Sequence, residues 1–170
     1  MSLRPAEVAP VPAGTAQVAA AAFPKGCPAV RMRDELGAVY DDRMFAPLYP
    51  ARGQPAHSPW RLALVTVLQF AEGVSDRQAA DAVRGRIDWK YALGLELTDP
   101  GFDFSVLCEF RARLIAGRLE QALLDAMLAQ LRERGLLRRG GASARTAPMC
   151  WPRYARSTGW RAWARRCARR

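Results

Sequence analysis

The chain has 170 residues, 50% of them hydrophobic, which is long enough for one real core and ordinarily makes one domain. Its formal charge of +10 points to a polyanionic partner, while four scattered cysteines without a CxxC and a single histidine, His57, exclude a zinc set. The most apolar run, Leu62 to Phe70, is bracketed by Arg61 and Glu72 and falls well short of the ~20 residues a spanning helix needs.

Residues 1–14 are rich in Pro and Ala and read as an extended arm. Prolines and Gln17 interrupt the N-terminal alanine-rich stretch too often for a signal peptide, so a cytoplasmic protein with free thiols is expected. Thr15 can cap a short helix to Phe23, which Pro24 and Gly26 end. A second short helix is expected over Arg31 to Tyr40, with Met32, Leu36 and Val39 on one side. Asp41 or Asp42 then caps a turn or two through Phe45 and Leu48.

Ser58-Pro59 is an N-cap followed by proline at the first helical position. Trp60, Leu64, Val67, Leu68 and Ala71 follow at helical spacing until Gly73 stops the run. Ser75-Asp76-Arg77-Gln78 spells a capping box for a helix that buries Ala79, Ala82 and Val83 and ends near Gly85. Asp88 can cap the next helix, with Trp89, Ala92 and Leu93 inward and Gly94 as its stop. After the turn Thr98 to Gly101, Asp103 or Ser105 opens a helix whose face is Val106, Leu107, Phe110, Leu114 and Ile115. Arg111 and Arg113 fall away from that face. A last helix, Leu119 to Arg134, carries the stripe Leu123, Leu124, Met127, Leu128 and Leu131 and stops at Gly135. The fold class is all-α: a compact multi-helix domain over 15–139 with a helix-turn-helix-like pair.

Composition breaks at Gly140. All 16 acidic residues lie in the first 139 positions beside 18 of the 26 Lys and Arg, so the body carries only +2. Residues 140–170 hold 8 Arg, no acid and three of the five Trp, without periodicity. Such a segment cannot build a core and is expected to be a disordered basic tail.

Ser75 to Leu93 is the pair that resembles a DNA reader: helix, glycine turn, helix, with Arg77, Arg84, Arg86 and Lys90 around it. In such a pair the second helix enters the major groove and basic flanks grip phosphates. Arg111, Arg113 and Arg118 form a second basic cluster, which reads equally as a solvated face. Helix pairs of this kind also occur in proteins that bind nothing. Catalysis finds little support. His57 sits in a proline-flanked loop, Asp103 is better placed as a helix cap, and Glu109 as an i,i+4 partner of Arg113. No phosphate-cradling glycine loop or nucleophile motif is present.

Taken together, SDRQAADAVR, IDWKYALGL and DFSVLCEFRARL are specific, and the chain from about Val11 to Leu137 strongly resembles the N-terminal domain of InsH-like bacterial insertion-sequence transposases. The resemblance implies a helical domain that binds the terminal inverted repeats of a mobile element. It also implies a following RNase H-like domain whose Asp, Asp and Glu hold two divalent metal ions for phosphodiester chemistry. The family's first catalytic Asp lies in a motif like RTDSTHVLAAVR soon after a segment like LRERGLL. Leu131 to Leu137 supplies LRERGLL, yet no acid of any kind follows. No catalytic residue and no metal or other cofactor is therefore expected in this chain, and no activity from it alone.

The genetic code offers an explanation. Met149-Cys150-Trp151-Pro152 is encoded ATG, TGY, TGG and CCN, and reading one base earlier forces Val-Leu-Ala. With permitted third bases, the segment from Ser143 onward reads QRTDSSHVLAAVRALNRLAGVGETLRA, close to the family's catalytic opening. A change of frame near Gly140, mutational or by programmed slippage over Arg138-Arg139-Gly140, accounts for the missing acids and for the Arg, Trp and Ala excess.

The expected function is thus that of a transposon-end recognition module truncated before its catalytic domain. Its expected partners are the element's terminal repeats, the intact transposase or a second copy, and no membrane. The alternatives are a small basic nucleic-acid-binding regulator, or a non-catalytic helical domain for protein association.

Overall fold

The computed structural model describes residues 2–5, 7–50 and 52–136. The tail over 140–170, with its expected disorder, lies outside the described residues, as do 137–139. Within the described residues the regular structure is helical: α1 (Ala13–Ala22), α2 (Pro28–Leu36), a 3-10 helix (Asp42–Leu48), α3 (Pro59–Glu72), α4 (Asp76–Gly85), α5 (Ile87–Leu93), α6 (Ser105–Ala116) and α7 (Glu120–Glu133). The only β-type pairing among them is an isolated bridge, in which Ser2 donates its N–H to Gln54 and accepts from Ala56. That bridge ties the extended N-terminal segment down, and Leu3 and Val8 pack against the core.

The centre of the molecule is α3. It buries not one stripe but most of its circumference, with Leu62, Ala63, Val65 and Thr66 inside as well as Trp60, Leu64 and Leu68. A helix apolar nearly all round must be enclosed, and α3 is enclosed by the 3-10 helix, α4, α5 and α6. The short α5 lies beneath α1 and α2. Phe45 of the 3-10 helix and Phe110 of α6 meet with ring centroids 5.7 Å apart in a tilted pair. Gly73 and Gly94 end α3 and α5 in the left-handed conformation, where a Cβ would be strained.

Several local expectations need correction. Thr15 is not a cap: α1 begins at Ala13, and the wholly buried Thr15 hydroxyl donates to the Leu95 carbonyl at 2.8 Å. The helix α2 starts at Pro28, three residues before Arg31, and Gly37 stops it short of Tyr40. Ser58 occupies the N-cap position of α3 without a side-chain capping bond. Its hydroxyl donates instead to the buried Asp42 carboxylate, and that carboxylate accepts from the Trp60 N–H at 3.0 Å. Asp42 therefore caps α3 from another element. Asp88 lies inside α5, buried and paired with Arg86, rather than before it. Ile115 and Leu124, expected inside, are 48% and 51% exposed, because α6 and α7 each meet the core along a narrower face than their apolar stripes.

Candidate nucleic-acid interface

The pair α4–α5 is joined by one residue, Arg86, which ends the first helix and starts the second. The capping box is complete: the Gln78 N–H reaches the Ser75 hydroxyl, and the Ser75 N–H reaches the Gln78 side chain at 2.8 Å. Yet α5 is a core helix, with Asp88, Trp89, Lys90, Ala92 and Leu93 all buried. It leaves only Ile87 and Tyr91 partly open, so no face of it is free to lie along a groove. The open helix of the pair is α4, whose outward residues Arg77, Asp81 and Arg84 follow one another at spacings of a helical face.

Two ionic clusters fix this arrangement. At the start of α4 the Asp76 carboxylate accepts both terminal nitrogens of Arg111 from α6, the Gln69 amide from α3 at 2.7 Å and the Cys108 thiol at 3.1 Å. Burial pushes the Asp76 carboxyl up, but the hydrogen bonds from Arg111, Gln69 and Cys108, with the Arg111 charge, outweigh it and hold the group below the usual carboxylate range. At the α4–α5 junction Arg86 bridges Glu72 of α3 and Asp88 of α5, and the indole N–H of the fully buried Trp89 donates to Glu72 at 3.0 Å. The hydrogen bond to Asp88 keeps the Arg86 guanidinium more firmly protonated, against the opposing effect of burial.

The seven basic residues singled out from the sequence separate accordingly. Arg111 is 3% exposed and faces Asp76, so the expectation that it falls away from the core is corrected: a guanidinium paired bidentately and buried can sit on an inward face. Lys90 is likewise buried, its ammonium donating to the Asp99 carbonyl at 2.7 Å and the Glu96 carbonyl at 3.3 Å, where it closes the loop after α5. Arg86 is engaged by Glu72 and Asp88 and lies over the Trp89 ring. Arg113 is half-buried over Tyr49, with Glu109 at 3.8 Å on its own helix.

Arg77, Arg84 and Arg118 are exposed. Arg77 lies 4.6 Å above the Phe104 ring, and Arg84 donates to the Pro100 carbonyl at 3.2 Å and to Asp81 on the surface. The Ser105 hydroxyl and N–H hold the exposed Asp103 carboxyl below its ordinary range, with help from the charges of Arg77 and Arg84. Asp103 does what the sequence suggests, accepting from Ser105 at the start of α6. Arg118 stands apart at the α6–α7 junction, with a positive φ of 53°.

His57 is exposed, tilts against Phe102 at 5.8 Å, and lines two shallow clefts, one with Ser58 and Asp99 and the other with Tyr49 and Glu109, the latter facing Arg113. The Ser58 hydroxyl is committed to Asp42, and the Asp99 carboxylate to the Gly101 N–H. Among the described residues no group of three or more His, Cys, Asp or Glu is placed to hold a metal ion. Asp76, beside Cys108, has both carboxylate oxygens on Arg111.

Gln69 and Glu72, a donor and an acceptor of these clusters, have no role in the sequence-based expectations, and Asp42 has one only as the cap of its own turn. The signal available was the presence of polar residues in an otherwise apolar helix: Gln69 interrupts the run Leu62 to Ala71 and Glu72 ends it, where a core helix has to meet a charge.

Fold and surface define an all-α domain with ionic cross-braces inside and arginines displayed along one helix. No helix among the described residues is long and apolar enough to cross a membrane. The chain belongs to the transposase domain family DUF772, which matches residues 19–113 and so takes in every element from the last turn of α1 to most of α6. Neither a curated protein nor a solved structure matches it.

Proposed function

We propose that this chain is the DNA-binding, end-recognising N-terminal module of an InsH-like DDE insertion-sequence transposase, separated from its RNase H-like catalytic domain by a change of reading frame near Gly140. The match of residues 19–113 to a transposase domain carries the reading. The motifs SDRQAADAVR, IDWKYALGL and DFSVLCEFRARL add the finer assignment. The outer face of α4 supports a DNA contact made there: Arg77 and Arg84 are exposed cations held on a rigid helix, whereas Arg86, Lys90 and Arg111 are spent on internal partners. Phosphate contacts of this kind set orientation and affinity, and base contacts would have to come from other side chains of the same face, such as Gln78 or Asp81.

The frame change explains why LRERGLL is followed by acid-free sequence and why the forced Val-Leu-Ala falls in register with the family's catalytic opening. The fragment on its own neither cuts nor joins DNA, and the metal ions belong to the separated domain. As an end-binder it competes with the intact enzyme for the same repeats. The arginines of 140–170 add sequence-independent phosphate attraction that weakens steeply with salt.

An electrophoretic shift with the element's terminal repeat tests the recognition step, at two salt concentrations and with scrambled competitor. Retention that survives salt and scrambled DNA is the expected result. Retention lost equally to any competitor would reduce the activity to the basic tail. Sequencing the locus tests the truncation: a shifted downstream frame without an RNase H-like domain overturns it.

A further inference from the structure

The helix α7 is attached to the rest of the molecule along one edge. Leu123 is its only buried residue, Ala126, Met127 and Leu131 pack beside it, and the Leu123 carbonyl accepts from the Tyr40 hydroxyl. About a third of a turn away lies a second apolar edge, Leu124 and Leu128, with Leu131 shared between the two. Leu124 is 51% exposed, and the spacing 124, 128, 131 alternates four and three, as in the seam of a coiled coil. The charges flanking that edge are unlike in sign and a heptad apart: Asp125, which accepts from Gln121 at 3.1 Å, and the exposed Arg132.

We propose that this edge of α7 is a self-association surface, on which a second copy of the chain lays its own α7 antiparallel. When Leu128 is layered against Leu131 of the second copy, the flanking positions bring Asp125 opposite Arg132 of that copy, and two-fold symmetry makes the pair twice. A parallel arrangement would make neither pair: Asp125 would face Glu120 of the second copy, a like charge, and Arg132 would face its Met127. The charges therefore choose both the partner and the direction. Three leucines per copy cover far less than the ~1,600 Å² of a standard interface, so the association is weak. It involves no residue of the α4 face and stands or falls separately from DNA recognition.

Sedimentation equilibrium of the nuclease-treated 170-residue chain over a wide concentration range tests it. The wild type is expected to dimerise with concentration. Asp125→Arg alone and Arg132→Asp alone should each weaken dimerisation by about tenfold, and the double reversal should restore it to near the wild-type value. Leu124→Gln, at a position exposed in the monomer, should weaken it without changing the circular dichroism spectrum. A chain that stays monomeric throughout overturns the proposal. So does a dimer indifferent to Leu124→Gln, or one in which the double reversal restores nothing.

Discussion

Arg111 of α6 holds Asp76, 35 residues earlier in the chain, by both carboxylate oxygens, and the pair sits where α3, α4 and α6 converge. Arg111 is 3% exposed and the Asp76 side chain 20%, so water screens the contact poorly. Truncating Arg111 leaves a carboxylate with only Gln69 and Cys108 as donors. Arg111→Met is expected to cost about 3 kcal/mol in urea unfolding, within the range for breaking a buried pair. Arg111→Lys should recover little of it, because one ammonium cannot serve both oxygens. Wild-type-like stability in Arg111→Met would mean that the pair contributes nothing.

The same carboxylate sets a pH dependence. Its folded-state pKa lies below the unfolded value, so it stabilises the fold fully above the unfolded value of about 3.9. That contribution is lost as pH falls through the folded pKa, when Asp76 takes up a proton and releases Arg111. Urea midpoints measured from neutral pH downward should therefore fall below about pH 4. In Asp76→Asn the midpoint should be lower at neutral pH and the acid decline shallower. An unchanged acid slope in that variant would assign the decline to other carboxylates.

Asp42 and Ser58 illustrate how much was legible in the sequence. Ser58-Pro59 announced the start of α3, and Gly73 its end, from local chemistry alone. The capping box at Ser75 and the stop at Gly94 were legible for the same reason: cap, stop and helix are neighbours in sequence. What could not be read is which polar groups meet across elements. Asp42 caps α3 from 18 residues away, and Arg111 looked like a surface residue because its partner is in another helix. Among the basic candidates, Lys90 and Arg84 carry similar charge near one turn, but only the packing of α5 under α1 and α2 decides that the first is buried and the second exposed. The motifs that identify the family carry much of this internal bracing, with Asp76, Asp88, Trp89, Lys90 and Arg111 all among them.

Capping from a distance has a measurable consequence. Asp42→Ala removes the acceptor for the Trp60 N–H and for the Ser58 hydroxyl together, at a site only 1% exposed. The expected loss is about 2–3 kcal/mol, larger than the ~1 kcal/mol of an ordinary N-cap, because both donors stay behind partly or wholly buried. Ser58→Ala should cost about 1 kcal/mol, since Asp42 still caps the helix. Equal losses in the two variants would show that Ser58, not Asp42, is the effective cap.

On the outer face of α4, Arg77→Ala and Arg84→Ala separate binding from folding. Both side chains are exposed, and neither holds a buried partner, so unfolding midpoints should move by no more than about 0.5 kcal/mol. If the α4 face lies on DNA, each change should lower affinity for the terminal repeat and reduce the slope of log K against log salt by about 1, the signature of one lost phosphate contact. Asp81→Ala, which removes the acid between them, should raise affinity modestly by the same field argument. Arg118→Ala, at the distant α6–α7 junction, serves as the control for general loss of charge. Should all three arginine variants lose affinity equally with an unchanged preference over scrambled DNA, the contact would be diffuse attraction, and α4 would not be the face that docks.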